Sequence, residues 1–263
     1  MDLGLTGKRA FVSGSTQGIG FAIAEALAGE GVSVVINGRR EGLVDKAVLE
    51  VQARVPGAAV SGIAADFERA DEVAQLIDGL GRVDILVNNV GLFGVTPFGD
   101  VSDQDWYRYF DVNVMSGVRL SRHVLPGMLA SGWGRILFIG SESGVDVPAE
   151  MVHYGMTKAG MLAVGNGLAK LTRGTEVTVN TLLGGPTYSD GVARAVDEIA
   201  RAQGLLPDDV KAAVVAANRT SLLQRFIEPH EIADLALYLV SARASATNGA
   251  ALRADGGVLT TMI

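Results

Sequence analysis

Tyr154 and Lys158 stand four residues apart in the stretch Gly140–Lys158, GSESGVDVPAEMVHYGMTK. On a helix, that spacing puts phenol and ammonium on one face, one turn apart. A phenol ordinarily titrates near pH ~10 and exchanges protons poorly at neutrality. A cation held close favours the phenolate and draws the pKa toward the working range. Ser141 lies thirteen residues before Tyr154, at the end of an apolar run. A strand ending there would present its hydroxyl to a helix that starts nearby. Together the three groups can polarise a carbonyl and exchange one proton with it. The pair taken alone also fits two surface side chains, so its weight depends on the rest of the chain.

The composition narrows the field. A chain of 263 residues suits one large domain or two small ones, and 48% hydrophobic residues with 19% charged is globular. A net charge of -7 argues against a nucleic-acid surface. Zero Cys removes disulfides, thiolate metal sites and Cys nucleophiles, and three scattered His make a His-rich metal site an unexpected feature. The start MDLGLTGKRAF has no long apolar run, so the expectation is a cytoplasmic protein without signal peptide or anchor.

The elements that must position the chemistry follow from alternation. Short β-branched runs at Arg9–Ser13, Val32–Asn37, Ala58–Ala65, Val83–Asn88, Arg135–Gly140, Glu176–Leu182 and Ala250–Ala254 read as strands. Amphipathic stretches at Gly18–Glu30, Glu41–Arg54, Arg69–Leu80, Asp103–Ala130 and Met151–Thr172 read as helices. Near-continuous apolar strands alternating with helices predict an α/β fold: one doubly wound domain over residues 1–263, its seven-stranded parallel sheet covered on both faces. Residues Thr187–Arg225 break the rhythm as a polar, Ala-rich insertion, a candidate substrate lid. Gly160, Gly165 and Gly167 weaken one helix and suggest close helix–helix approach.

Ser13-Gly14-Ser15-Thr16-Gln17-Gly18-Ile19-Gly20 follows a strand and opens a helix. Glycine lets the backbone approach a pyrophosphate, and the helix N-terminus supplies N–H groups and positive dipole. The end of the second strand carries no acid for the ribose of NAD; Gly38 leaves space, and Arg39 and Arg40 follow. A guanidinium there suits a 2′-phosphate, which points to NADP(H) over NAD(H). Asp66 either touches the adenine or caps the helix from Arg69. Asn88-Asn89-Val90-Gly91 either ties a loop to the neighbouring strand or makes an ordinary turn. Asn113, a poor interior helix residue, needs buried partners, which a water relay to Lys158 would provide. His153 points away from its neighbour Tyr154 and reads as wall or surface.

Taken in order, Gly14/Gly18/Gly20, Asp66, Asn88-Asn89-x-Gly91, Asn113, Ser141, Tyr154, Lys158, EPHEIADLALYLVS at Glu228–Ser241 and Asp255-Gly256-Gly257 resemble the short-chain dehydrogenase/reductase family, in its short, single-domain, 3-oxoacyl reductase-like branch. The resemblance runs from about Lys8 to Gly257. It implies a single Rossmann domain and an oxidoreductase that moves hydride between nicotinamide and a carbonyl or secondary-alcohol carbon. Tyr154 would be the acid/base, Lys158 would bind the nicotinamide ribose, Ser141 would hold the substrate oxygen and Asn113 would anchor a proton-relay water. Expected cofactor contacts are Gly14, Ser15, Gln17, Gly18, Ile19, Gly20, Arg39, Asp66, Phe67, Asn89, Gly91, Tyr154, Lys158 and Thr187; no metal is expected. The chain departs from the family at Gly184-Gly185 for Pro-Gly, Ser189 for Thr, Ser13 for Thr and Val90 for Ala, and Gln17 supplies no second cation for NADP.

A second reading keeps the fold as a catalytically silent nucleotide sensor. The intact Ser141, Tyr154, Lys158 and Asn113 set speaks against it. A homotetramer is expected, partly from the resemblance and partly from the small-residue helix face and the apolar terminus VLTTMI. The partner is a small carbonyl or alcohol, with no nucleic acid or membrane. Phe93, Glu142, Val145, Val147, His153 and Tyr188 are the candidate pocket residues, with Arg194 or Arg201 as basic groups from the lid.

Overall fold

The computed structural model describes residues 2–262; Ile263, the last residue of the apolar terminus, lies outside them, as does Met1. Seven parallel strands lie in the order β3-β2-β1-β4-β5-β6-β7: β1 Arg9–Val12, β2 Ser33–Gly38, β3 Val60–Ala64, β4 Ile85–Asn88, β5 Trp133–Ser141, β6 Glu176–Gly184 and β7 Ala251–Ala254. All seven runs read as strands form, with shifted ends.

Alternation along each strand divides the core into two layers. Ala10, Val12, Val34, Ile36, Ile85, Val87, Leu137 and Ile139 face one layer, under α1 (Gly18–Gly29), α2 (Glu41–Arg54) and α9 (Pro229–Val240). Phe11, Val35, Leu86, Ile136 and Phe138 face the other, under α3 (Ala70–Leu80), α5 (Ser116–Ser131) and α6 (Val152–Leu171). Both faces are apolar because both are covered, which is why the strands read as continuous runs. The order reverses between β1 and β4, so the loops after these two strands diverge and leave a crevice at the carboxyl edge.

Two segments differ from expectation. Asp103–Ala130 is not one helix: α4 (Asp103–Tyr109) passes through a π-helical stretch, Phe110–Met115, into α5. The insertion read as a lid is itself helical, α7 (Asp190–Gln203) and α8 (Pro207–Ala217). Their ends carry recognisable signals: Ser189 accepts from Val192 N–H, Gly204 closes α7 in the left-handed region, and Pro207 with Asp208 and Asp209 opens α8.

The α6 glycines serve the sheet as much as a helix. A Cβ at Gly165 would sit 2.8 Å from Thr181 Oγ1 and 3.4 Å from Phe138, whereas one at Gly160 would meet Val114 and one at Gly167 nothing. No helix among the described residues is long and apolar enough to cross a membrane, and no group of three His, Asp or Glu could hold a metal ion.

Candidate active site

Ser141 ends β5, and Tyr154 and Lys158 ride on the first turns of α6, so strand end and helix start meet. Gly144 permits the approach: a Cβ there would lie 2.8 Å from the Lys158 carbonyl carbon and 2.9 Å from Ala159 N. Lys158 is buried, donates from Nζ to the Ile139 carbonyl at 2.8 Å, and lies 5.6 Å from the centre of the Tyr154 ring. Ser141 is near enough to the Tyr154 phenol to draw its proton affinity down.

The electrostatic balance differs from the expected one. Burial pushes the Tyr154 phenol up, the nearby Ser141 hydroxyl pulls it down less, and the charges of Glu142 and Tyr109 add to the rise. Tyr154 therefore keeps its proton at neutral pH and is set to donate it. Burial lowers Lys158 from 10.5 to about 8, with Glu142 opposing. In the unfolded chain the same ammonium titrates at its ordinary value, so the unfolded state binds more protons between about 8 and 10.5. This group's contribution to stability therefore rises with pH across that window. Lys158→Met should remove that rise: in urea unfolding, wild type should gain on the variant from the lower to the upper end of the window. Parallel pH curves for the two proteins would contradict the assignment.

Asn113 sits in the π-helical stretch, whose wider turn carries its amide inward. Its Oδ1 accepts from Leu92 N–H at 2.6 Å, and Nδ2 donates to the Leu92 carbonyl and to Thr157 Oγ1, both at 2.9 Å. The buried amide is satisfied directly, without a bond to Lys158. Both groups nonetheless border Gly91: a Cβ there would lie 3.5 Å from Asn113 Oδ1 and 3.7 Å from Lys158 Nζ.

The Gly-rich turn is tied down by residues that the spacing alone does not reveal. Ser13 Oγ accepts from the N–H of Asn89 at 2.9 Å and of Val90 at 3.0 Å. Asn37 Oδ1 accepts from Gly14 N–H at 3.0 Å, and its Nδ2 donates to the Ile63 carbonyl at 3.1 Å. Ser15 Oγ donates to the Val12 carbonyl at 2.6 Å and accepts from Asn37 N–H at 3.0 Å. Asn89 Nδ2 donates to the carbonyls of Ser13 and Gly14. The side chains of Ser15 and Asn89 thus shape the turn rather than project from it. Gly14 and Gly18 both have φ +61°, where only glycine is at ease.

This turn fits a dinucleotide. Gln17 offers α1 no side-chain cap, and the N–H groups of Ile19 and Gly20 have no partner among the described residues. Unsatisfied N–H groups at a helix N-terminus are an anion site. Gly18 N–H is engaged by α7, donating to Asp190 Oδ2 at 2.7 Å, while Arg194 of the same helix reaches Gln17 Oε1 at 3.2 Å. Gly20 has no spare room: a Cβ would lie 2.4 Å from Asn89 Nδ2 and 2.5 Å from the Gly14 carbonyl. Gly20→Ala should overpack the turn at a cost of about 1–3 kcal/mol, seen as a lower melting temperature together with weaker NADPH binding. A variant with wild-type values of both would show that the turn yields.

Along the crevice, Arg39 is exposed and has no hydrogen bond or ion pair among the described residues; its charge helps to lower Glu68. The space expected at Gly38 is filled: a Cβ there would meet Thr16 Cγ2 at 2.5 Å, so Gly38 accommodates Thr16. Asp66 accepts from Glu68 N–H at 3.0 Å in a local turn, while the uncapped Arg69 precedes α3. Phe67 is buried in the core, leaving its backbone for any ligand. Thr187 is buried and donates to the Gly185 carbonyl at 2.9 Å. Gly185 is required, since a Cβ would collide with the Asp255 backbone at 2.5 Å, whereas one at Gly184 would only touch Ile232 at 3.6 Å. The replaced proline therefore falls at the tolerant position.

Among the pocket candidates, Phe93, Val145 and Val147 are exposed, and Phe93 lies beside Gly191 of α7. Tyr188 packs on Phe226, with Lys211 over its ring. His153 is buried wall rather than surface, edge-on to Tyr109 at 4.4 Å and to Trp106 at 6.2 Å.

A doubly wound sheet with a glycine turn at its switch point and a Ser–Tyr–Lys cluster at its carboxyl edge defines a dinucleotide-dependent oxidoreductase. The short chain dehydrogenase model matches residues 8–200, and the chain belongs to that family. It is 44% identical to the uncharacterized oxidoreductase YvrD of Bacillus subtilis, over 98% of this chain and 99% of that one. It is 33% identical to D-beta-hydroxybutyrate dehydrogenase of Cupriavidus necator, over 96% and 98%. The L-sorbose reductase of Gluconobacter frateurii, solved with NADPH and L-sorbose, superposes with a TM-score of 0.94 at 30% identity, covering 100% of both chains. The chain is an NAD(P)-dependent oxidoreductase acting between nicotinamide and a carbonyl or secondary-alcohol carbon. Nothing among these relatives supports a silent nucleotide sensor.

Proposed function

We propose that the chain is an NADP(H)-preferring reductase of a small carbonyl compound, run in reverse as a secondary-alcohol dehydrogenase, with Tyr154 as proton donor and acceptor. The observation that carries this reading is the meeting of Ser141, Tyr154 and Lys158 at one end of the sheet, beside Gly91 and Asn113. Ser141 and Tyr154 hold the substrate oxygen, and Tyr154 gives it a proton. The phenol's upward shift supports reduction at neutral pH. Lys158 holds the nicotinamide ribose, and Asn113 anchors the relay that returns a proton to Tyr154.

The pyrophosphate rests on the Gly14–Gly20 turn against the Ile19 and Gly20 N–H groups, and Arg39 takes the 2′-phosphate. Asp66, Phe67, Asn89, Gly91 and Thr187 complete the cofactor contacts. A bound nicotinamide supplies or accepts the hydride at the substrate carbon. That the L-sorbose reductase was solved with NADPH supports the cofactor preference. The α7–α8 lid covers the substrate.

Exposed Tyr107, Phe110 and Leu171 support a homotetramer, and the reading places it in the cytoplasm. The test is a panel of ketones and secondary alcohols assayed with both cofactors, with light scattering on the same sample. Carbonyl-dependent NADPH oxidation by a tetramer is expected. No turnover across the panel would refute the enzymatic part, and a stable monomer the assembly.

A further inference from the structure

Ser141 has one proton and more than one claim on it. Its Oγ donates to Glu142 Oε2 at 2.6 Å while accepting from Ser143 N–H at 3.1 Å. The Ser143 hydroxyl steadies the same carboxylate, reaching Oε1 at 3.4 Å. Glu142 is half-buried; burial pushes its carboxyl up, the Ser141 and Ser143 bonds pull it back toward the charged form, and its charge acts on Tyr154 and Lys158. A carboxylate therefore stands one hydrogen bond from the serine that would hold the reacting carbonyl. While it takes the serine proton, that proton is denied to the carbonyl.

We infer that Glu142 is a specificity-determining residue that selects substrates carrying a hydroxyl on the carbon next to the reacting carbonyl. Such a hydroxyl lies within reach of the carboxylate that accepts from Ser141. By donating to Glu142 it replaces the serine as donor. The Ser141 proton then turns to the carbonyl oxygen, while Ser143 N–H keeps the serine oxygen in place. A plain ketone brings no replacement donor and leaves the serine proton on Glu142. The preferred class is thus α-hydroxy ketones and, in reverse, vicinal diols. The inference rests on the assignment of Ser141 and Tyr154 given under the proposed function.

The test is kcat/KM for two matched pairs, acetoin against butanone and hydroxyacetone against acetone. The proteins are wild type, Glu142→Gln, Glu142→Ala and Tyr154→Phe. A charge-assisted hydrogen bond predicts a wild-type preference for the hydroxy ketone of about ten- to hundred-fold. In Glu142→Ala the preference should collapse, because the carboxylate acceptor is gone and the serine proton is free for either ketone. Glu142→Gln keeps the shape and offers Ser141 an N–H, so plain-ketone turnover should rise and the ratio should fall. Tyr154→Phe should depress both members of each pair together. A wild-type ratio near one, or a ratio that neither Glu142 substitution moves while ketones are still reduced, overturns the inference alone. Failure of wild type to reduce any of the four compounds, or Tyr154→Phe as active as wild type, overturns the functional reading and the inference with it.

Discussion

Tyr154→Phe is expected to lower kcat by about 10²–10⁴-fold, the range carried by a positioned general acid, while NADPH binding stays nearly unchanged. Phenylalanine keeps the ring in its place at the start of α6 and deletes only the hydroxyl. That hydroxyl is the group whose proton burial retains at neutral pH and which Ser141 steadies. Lys158, 5.6 Å from the ring centre and bound to the Ile139 carbonyl, stays where it is. The measurements are steady-state rates on the active ketones and a fluorescence titration with NADPH. Loss of both rate and binding would make Tyr154 a cofactor-positioning residue, and an unchanged rate would remove it from the chemistry.

Arg39→Ala should lower kcat/KM with NADPH by about ten- to hundred-fold and leave NADH almost untouched. A hydrogen bond to a charged group is worth about 1.5–3 kcal/mol, which is that factor. Arg39 is free to supply it. The nearest acid whose charge it influences, Glu68, is already gripped by Arg108 through bonds of 3.1 and 2.8 Å. Gln17 adds no second cation and is engaged by Arg194, so a preference rather than exclusivity is expected. NADH used as well as NADPH by wild type would contradict the preference. A preference that survives Arg39→Ala would leave the preference standing and place its cause elsewhere.

The fold was legible where burial leaves a periodic trace. Strands covered on both faces read as continuous β-branched runs, and the turn at Gly14–Gly20 announces itself because only glycine suits its backbone. Helices α7 and α8 go unread although Ser189, Gly204 and Pro207-Asp208-Asp209 mark their ends and Val192, Val196 and Ala200 recur every four residues on one face of α7, because the polar, Ala-rich composition outweighs that period in the reading. The π-helical stretch has no local signature beyond Asn113. Its register is settled by bonds to Leu92 and Thr157, which are remote in sequence.

In the site, Tyr154 and Lys158 were placed by spacing, but their proton affinities were not. Spacing registers the nearby cation and is blind to desolvation, which dominates both groups. Asn37 and Ser13 anchor the glycine turn through buried hydrogen bonds that only the β1–β2 and β1–β4 pairings create. Gly38 looked like room for a ligand and proved to be room for Thr16.

Isotope transfer tests the central claim most directly. NADPH carrying deuterium at the transferable position of its nicotinamide ring is incubated with enzyme and an active ketone, and the alcohol is examined by mass spectrometry and NMR. One deuterium on the carbinol carbon, delivered by wild type and greatly slowed in Tyr154→Phe, is the predicted result. An alcohol formed without the label, or NADPH that binds and never loses its label to any carbonyl offered, would contradict it.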